Sequence, residues 1–231
     1  GQKLLEAVKK TPVVDGSGLK NTLERETVYY LRNNTDLLPP GCKVLMVSAV
    51  DRFGMAEALN ELGCDMTFGD LIFSAGIPYP IKTLEELTEI AGKTLPEMIK
   101  LPFHMLYPTR EKQDTQDEKK VAKYGHFYHE AGVIAGDYHL VRRYMPGNLT
   151  GQLVITNTTT RDDVNFLREK GVGCLVTTTP QLEGRSFGTN VMEAALLVLL
   201  DKKWEDITPG DYLELMERLG MKPGIHQLQQ A

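Results

Sequence analysis

Hydrophobic residues fall along this chain in short unbroken runs, separated by longer stretches in which they recur at helical spacing. Val44-Leu45-Met46-Val47, Val133-Ile134-Ala135, Leu153-Val154-Ile155 and Cys174-Leu175-Val176 are apolar at consecutive positions, and Met66-Thr67-Phe68 is apolar at its two ends. Strands buried on both faces of a parallel sheet read this way. Between the first two runs, Ala56, Leu59 and Leu62 share one helical face and Gly63 stops the helix. Residues 43–70 are therefore expected to form a strand, a turn, a helix and a second strand. A long helix is expected over 19–32, with Leu19, Leu23, Val28 and Leu31 near one face and the charges elsewhere. Thr83 with Glu86, and Thr160 with Asp163, have the spacing of helix N-terminal caps. Residues 190–200 are nearly all apolar and read as a helix buried between elements, and 211–219 as a last helix before a polar tail. Residues 12–15 and 103–106 carry weaker strand signals, and the charged run 109–120 reads as a solvated loop.

Strands alternating with helices predict an α/β fold: a Rossmann-like, mostly parallel sheet with helices on both faces, plus a small or partial N-terminal segment on the substrate side. Pro39-Pro40-Gly41 marks the boundary. It divides the chain into the N-terminal segment 1–40, a nucleotide-binding domain 41–203 and a C-terminal helix and tail 204–231.

In such a sheet, ligands bind outside the carboxyl ends of the strands. Polar residues gather there. Asp15 follows the first weak strand, Ser48 and Asp51 the next, then Asp70, Asp137 with His139, Thr156-Asn157-Thr158, and Thr177-Thr178-Thr179. Asp70 lies 22 residues after Ser48, close to the ~20 that separate a dinucleotide-binding turn from its ribose-binding acid. The turn itself, Ser48-Ala49-Val50-Asp51-Arg52-Phe53-Gly54, is not GxGxxG. Asp51 would repel a pyrophosphate at the helix N-terminus, Arg52 could neutralise it, and Gly54 could allow close backbone approach. These residues, with Asp70, Asp137, Thr156, Asn157, Thr177, Thr178 and Thr179, are the candidate cofactor-binding set. Lys20, flanked by Asp15 and by glycines at 16 and 18, is the candidate acid/base group, with Asp15 or His139 as its partner.

Composition removes several classes. A net charge of −5 with scattered basic residues lacks the footprint of a nucleic-acid binder. No apolar run reaches membrane-spanning length, so a cytoplasmic protein is expected. Cys42, Cys64 and Cys174 lack CxxC spacing and read as buried thiols, and the histidines, His126 and His129 among them, form no recognised metal set. A small-molecule substrate is expected, with no nucleic acid and no membrane as partner, and homo-oligomerisation left open.

At VDGSGLKNTLER, VSAVDRFGMAEAL, TFGDLIF and TTTPQLEGRSFGTNVMEA the chain resembles prokaryotic proteins labelled quinate or shikimate 5-dehydrogenases. The likeness covers about residues 10–200. It implies a Rossmann-type NAD or NADP domain joined to a substrate-binding part, and an oxidoreductase acting on a small polar hydroxy or oxo compound. Shikimate dehydrogenases use an N-x-T-x-P-x-K lysine with an aspartate partner and a glycine-rich dinucleotide loop. Neither motif is intact here, and Lys20 with Asp15 is the chemical analogue. Two alternatives share the fold: an S-adenosylmethionine-dependent methyltransferase, whose amino group Asp51 would welcome, and a nucleotide-sensing domain without catalysis.

Overall fold

The four apolar runs and the 66–68 segment form strands: β1 (Lys43–Met46), β2 (Asp65–Phe68), β3 (Val133–Ala135), β4 (Leu153–Thr156) and β5 (Cys174–Thr177). The computed structural model describes residues 8, 11–98, 116, 118–182 and 185–229. Two short strands, β6 (Gln181–Leu182) and β7 (Arg185–Ser186), pair antiparallel with each other apart from the main sheet. The stretch after Pro223, expected as a tail, is instead β8 (Gly224–Gln227), antiparallel to β5. Its alternation is weak because all four of its residues are partly exposed, as suits an edge strand.

The sheet order is β2-β1-β3-β4-β5-β8, parallel except for β8. The chain steps outward from β1 to β2 and then returns to β3 on the other side of β1. Register runs Lys43↔Asp65, Val44↔Val133, Leu153↔Cys174 across the neighbours. The direction of stepping thus reverses between β1 and β3.

Helices cover both faces. On one, Val44, Met46, Met66, Phe68, Ala135 and Ile155 pack against α2 (Leu23–Asn34), α3 (Phe53–Glu61) and α4 (Leu84–Met98). On the other, Leu45, Val47, Ile134, Val154 and Leu175 meet α5 (Glu118–Glu130), α6 (Tyr138–Tyr144), α7 (Arg161–Glu169) and a π-helical turn (Leu71–Ala75). Consecutive strand residues enter opposite cores, which is why the runs are apolar throughout. Buried tyrosines on the second face place their hydroxyls on carbonyls: Tyr128 donates to Val141 (3.0 Å) and Tyr144 to Phe73 (2.8 Å).

A third, smaller cluster joins Leu19 of α1 (Ser17–Asn21) and Leu23 to Leu196 of α8 (Thr189–Leu200) and Tyr212, Leu215 and Met216 of α9 (Pro209–Arg218). The helix expected over 19–32 is therefore two helices, broken at Thr22, whose φ −115° and ψ −77° are displaced from the regular helix values of about −63° and −42°. Residues 12–15 are not a strand. Helix α8 is not buried between elements: only Thr189, Glu193 and Leu196 are buried, while Val191, Val198 and Leu199 are 53, 76 and 59% exposed. One stripe is enough to seat it on α1 and α9, which leaves its apolar back outward. Thr160 and Thr208 each close a full capping box with Asp163 and Asp211. At Thr83 the hydroxyl accepts the Glu86 amide (3.1 Å), while the Glu86 carboxylate turns to Tyr79 and the Lys82 amide. Residues 103–106 lie outside the described part, as does the charged run except for Gln116 and the start of α5. No described helix is long and apolar enough to cross a membrane.

Candidate functional site

The strand-end polar residues do converge, and most of them bind one another. Ser48 Oγ accepts the Asp137 amide (3.0 Å), which stitches the loop after β1 to the loop after β3. Gly136 between them has φ +139°, and a Cβ there would meet Val47 and Ser48 at 2.6 and 3.0 Å. Thr156 donates to the Gly136 carbonyl (2.8 Å) and Thr177 to the Thr179 carbonyl (3.1 Å). The Thr179 hydroxyl lies within hydrogen-bond distance of the Asn157 and Phe187 carbonyls. Asn157 Oδ1 accepts the Tyr138 amide and lies 3.2 Å from the Thr156 hydroxyl, and the Asn157 side-chain amide donates to Asp137 Oδ2 (3.3 Å). Ser48, Thr156, Asn157, Thr177 and Thr179, expected to face a cofactor, thus hold the loops together. The Thr178 hydroxyl is different: it is fully buried with no partner among the described residues.

Arg52 departs furthest from expectation. Rather than shielding Asp51 at the surface it is 2% exposed, bonded to Glu24 and to Asp137 Oδ2 (3.0 Å), with Asp51 only at 4.0 Å. Burial works against its charge, but Glu24, Asp137 and Asp51 together hold the guanidinium protonated, above its usual range. Burial pushes the Glu24 carboxyl up, against the pull of Arg52. Glu24 also accepts the Thr189 hydroxyl (3.2 Å) on Oε1, and its Oε2 is buried without a partner among the described residues. One cation between two buried acids joins α2, the loop after β1, the loop after β3 and α8. Arg52 and Asp137 are accordingly internal ties rather than groups offered to a ligand.

Asp70 is also turned inward. Its two oxygens accept the Val50 and Ala49 amides (3.0 and 3.1 Å), the amides a dinucleotide's phosphate would seek. Burial raises its carboxyl while those amides pull it down. Ala49 itself is buried, and Val50 and Phe53 pack against the first core. Gly54 does permit a close approach, but to the chain's own α1: a Cβ would sit 2.7 Å from the Lys20 carbonyl and 3.0 Å from Asn21 Cα. Gly54→Ala is expected to lose about 1–3 kcal/mol of stability, read by urea unfolding, because backbone rather than a flexible side chain must yield. The amino end of α3 is thus covered by α1, and these residues do not form a pyrophosphate cradle.

The remaining pair does face outward. Lys20 Nζ lies 2.6 Å from Asp51 Oδ1, with side-chain exposures of 21 and 52%. Asp15 is not the partner expected for Lys20. It is exposed and takes the Ser17 amide (3.0 Å), and its hydrogen bonds with Ser17 lower its carboxyl below the usual range. Asp51 does hold an amine, as a methyltransferase would require, but the amine is that of Lys20. His139 is half-buried at the start of α6, and its amide caps onto Asp137 Oδ1 (3.0 Å).

Lys20 is placed by an acid outside the candidate set. Glu193, 4% exposed, accepts the Gly16 amide (2.7 Å) on Oε2 and the Gly18 amide (2.9 Å) on Oε1, and Tyr212 donates to the same oxygen (3.3 Å). Gly16 has φ +88°, and a Cβ on Gly18 would meet Glu193 at 2.2 Å. The VDGSG glycines therefore serve an internal carboxylate, and that grip fixes α1 with Lys20 at its end. A signal for these acids was present: Glu24 shares the stripe of Leu23, Thr27, Val28 and Leu31, and Glu193 is the lone acid in an apolar helix.

Two cavities of about 200 and 450 Å³ lie elsewhere, at the amino ends of the strands. Lys43, Asp65, Lys82 and Glu130 line the first, and His129, Asn148 and Gln152 the second. No group of three or more metal-ligating side chains occurs among the described residues.

Fold and site define a mixed α/β protein with a six-stranded, mostly parallel sheet and a polar cluster at the strand carboxyl ends. The chain belongs to the family described as Domain of unknown function (DUF8754), which matches residues 18–228. No curated protein matches it. Among solved structures it is similar to a protein from Mycobacterium smegmatis, at 10% identity and TM-score 0.35, over 94% of this chain and 60% of that one. It is also similar to a sugar ABC transport system, substrate-binding protein from Bordetella parapertussis 12822, at 12% identity and TM-score 0.34, over 91% of this chain and 50% of that one. The chain therefore spans 60 and 50% of the lengths of these two proteins. Likenesses at these scores carry no argument about function.

Proposed function

We propose that this protein is an oxidoreductase-type enzyme on a Rossmann-like sheet, acting on a small polar hydroxy or oxo compound with Lys20 and Asp51 as its proton-transfer pair. The observation that carries the reading is the 2.6 Å Lys20–Asp51 contact, open on one side and seated at the carboxyl ends of the strands. The reversal of strand order between β1 and β3 supports it, since open α/β sheets place ligands at such a point.

An ammonium held by a carboxylate can give its proton to a carbonyl oxygen as that oxygen becomes an alkoxide, and take it back in the reverse direction. Asp51 would orient Lys20 and balance its charge. The buried Arg52 keeps Asp51 at the mouth of the site by fixing the backbone beside it. Glu193 holds α1, and therefore Lys20, from behind. The hydride partner implied by the resemblance is NAD or NADP. With Ala49, Val50 and Gly54 committed internally, a dinucleotide would have to be held otherwise than by the loop after β1.

The test is a ligand screen by thermal shift on the full chain, with NAD, NADH, NADP, NADPH, S-adenosylhomocysteine, quinate and shikimate. The expected result is a Tm rise with a nicotinamide dinucleotide and dinucleotide-dependent turnover of a hydroxy acid; a ligand at 100-fold its Kd adds about 2.7 kcal/mol. A shift with S-adenosylhomocysteine alone would replace this reading by the methyltransferase. No shift and no turnover with any nicotinamide at millimolar concentration would remove it.

A further inference from the structure

At the amino ends of β1 and β2, two cysteines stand side by side. The Cys42 and Cys64 sulfurs are 3.3 Å apart, both thiols free. They immediately precede the paired residues Lys43 and Asp65 of β1 and β2. The pairing extends back past them: the Asp65 amide donates to the Cys42 carbonyl (2.9 Å), and the Gly41 amide to the Gly63 carbonyl (3.1 Å). Neighbouring strands lie about 4.8 Å apart, inside the 4.4–6.8 Å Cα separation that disulfides span. Closing the sulfurs to a bond of about 2.05 Å needs a movement of little more than an ångström. Gly41 and Gly63, next in sequence to each cysteine, have φ near +71° with open space around them, so the backbone can supply that movement.

The surroundings separate the two thiols by role. Cys42 is half-buried, and Cys64 is 8% exposed within the first core cluster. Arg32 lies close enough for its charge to favour a Cys64 thiolate, though burial and Cys42 dominate and push that thiol up to about 12. The Arg32 guanidinium donates to the Leu62 carbonyl, and its Nε is buried without a partner among the described residues.

We propose that Cys42 and Cys64 are a reversible oxidation site that takes a small disulfide such as glutathione disulfide and closes residues 42–64 into a covalent ring. The ring contains β1, α3 and the loop carrying Asp51 and Arg52, so the oxidation state at the amino ends of the strands is tied to a segment that builds the cluster at their carboxyl ends. The inference stands independently of the function proposed for Lys20.

The chemistry balances without any further reagent. Cys42, losing its proton to solvent, attacks one sulfur of the small disulfide; a Cys42 mixed disulfide forms and one small thiolate leaves. Cys64, losing its proton in turn, attacks Cys42 Sγ, the internal bond forms, and the second small thiolate leaves. Two protein thiols are oxidised by two electrons, and one small disulfide is reduced to two thiols.

The full chain is incubated with excess glutathione disulfide, quenched, denatured and alkylated with iodoacetamide. The expected mass shows the loss of two hydrogens, the number of alkylated cysteines falls from three to one, and peptide mapping links Cys42 to Cys64. Dithiothreitol restores all three. Cys64→Ser should stop at a glutathione adduct on Cys42, since the resolving thiol is gone. Oxidation should raise Tm by roughly 5–10 °C, as expected for a ring of this size. Three alkylatable cysteines after treatment, a stable Cys42 adduct in the unsubstituted chain, a link to Cys174, or a lowered Tm would each overturn the proposal.

Discussion

Arg52→Met is expected to cost about 3–5 kcal/mol of folding stability and to lower Tm by on the order of 10 °C. Methionine fills most of the volume, so the loss is electrostatic. Glu24 and Asp137, 0 and 5% exposed, share this guanidinium. Without it, two acids of like sign remain in a site with little water, and each must either protonate or carry an uncompensated charge. Burial already raises the Glu24 carboxyl, which marks protonation as the outcome for that group. Combining Arg52→Met with Glu24→Gln and Asp137→Asn should recover a large part of the loss, because no charge is then left unpaired. A surface comparator is at hand: Arg25 pairs with Glu57 and Glu61 at 26, 33 and 55% side-chain exposure, and Arg25→Met should cost no more than about 1 kcal/mol. Urea unfolding followed by circular dichroism measures all three. If Arg52→Met and Arg25→Met proved equal, the buried network would have no special part in holding the N-terminal helices to the sheet.

Lys20→Met is expected to lower kcat by about 10²–10⁴-fold while leaving the protein folded. The ion pair with Asp51 is too exposed to contribute more than about 1 kcal/mol to stability, so the circular dichroism spectrum and Tm should barely change. Activity is the sensitive readout, measured on whichever substrate the ligand screen returns. Asp51→Asn should lose less, because the amide still orients Lys20 but no longer balances its charge. Lys20→Arg should not restore the rate, since a guanidinium stays protonated and cannot take the proton back. A Lys20→Met variant with undiminished turnover would reduce the pair to a surface ion pair and leave the non-catalytic reading in place. The Glu193 clamp supplies an independent check. Glu193→Gln keeps one acceptor for the Gly16 and Gly18 amides, and the rate should fall through displacement of Lys20 rather than through loss of a proton donor.

Much of the scaffold was legible in the chain itself. Val44 to Val47 and Leu153 to Ile155 are apolar at every position because each residue enters one of two cores, and runs this short fit a strand better than a buried helix. Thr160 with Asp163 announced a helix start because a cap is a contact between near neighbours in sequence. β8 was not legible, because an exposed edge strand paired on one side needs neither apolar runs nor strict alternation. The two helices in 17–34 were read as one, since the apolar spacing continues across the break at Thr22.

The sequence by itself determined that Ser48, Asp70, Asp137, Asn157 and Thr178 would stand just beyond the carboxyl ends of strands, because those strands are local patterns, whereas Asp15 follows no strand. What it could not determine was the direction each polar side chain takes. Asp70 stands where a ribose-binding acid belongs, yet it turns to Ala49 and Val50. Gly54 opens a space that α1 fills, Lys20 meets Asp51 and not Asp15, and Arg52 goes inward to Glu24 and Asp137. Each of these choices depends on a partner 20 to 85 residues away. A buried donor or acceptor must be satisfied by whatever the tertiary structure brings beside it, and only the packed fold decides what that is.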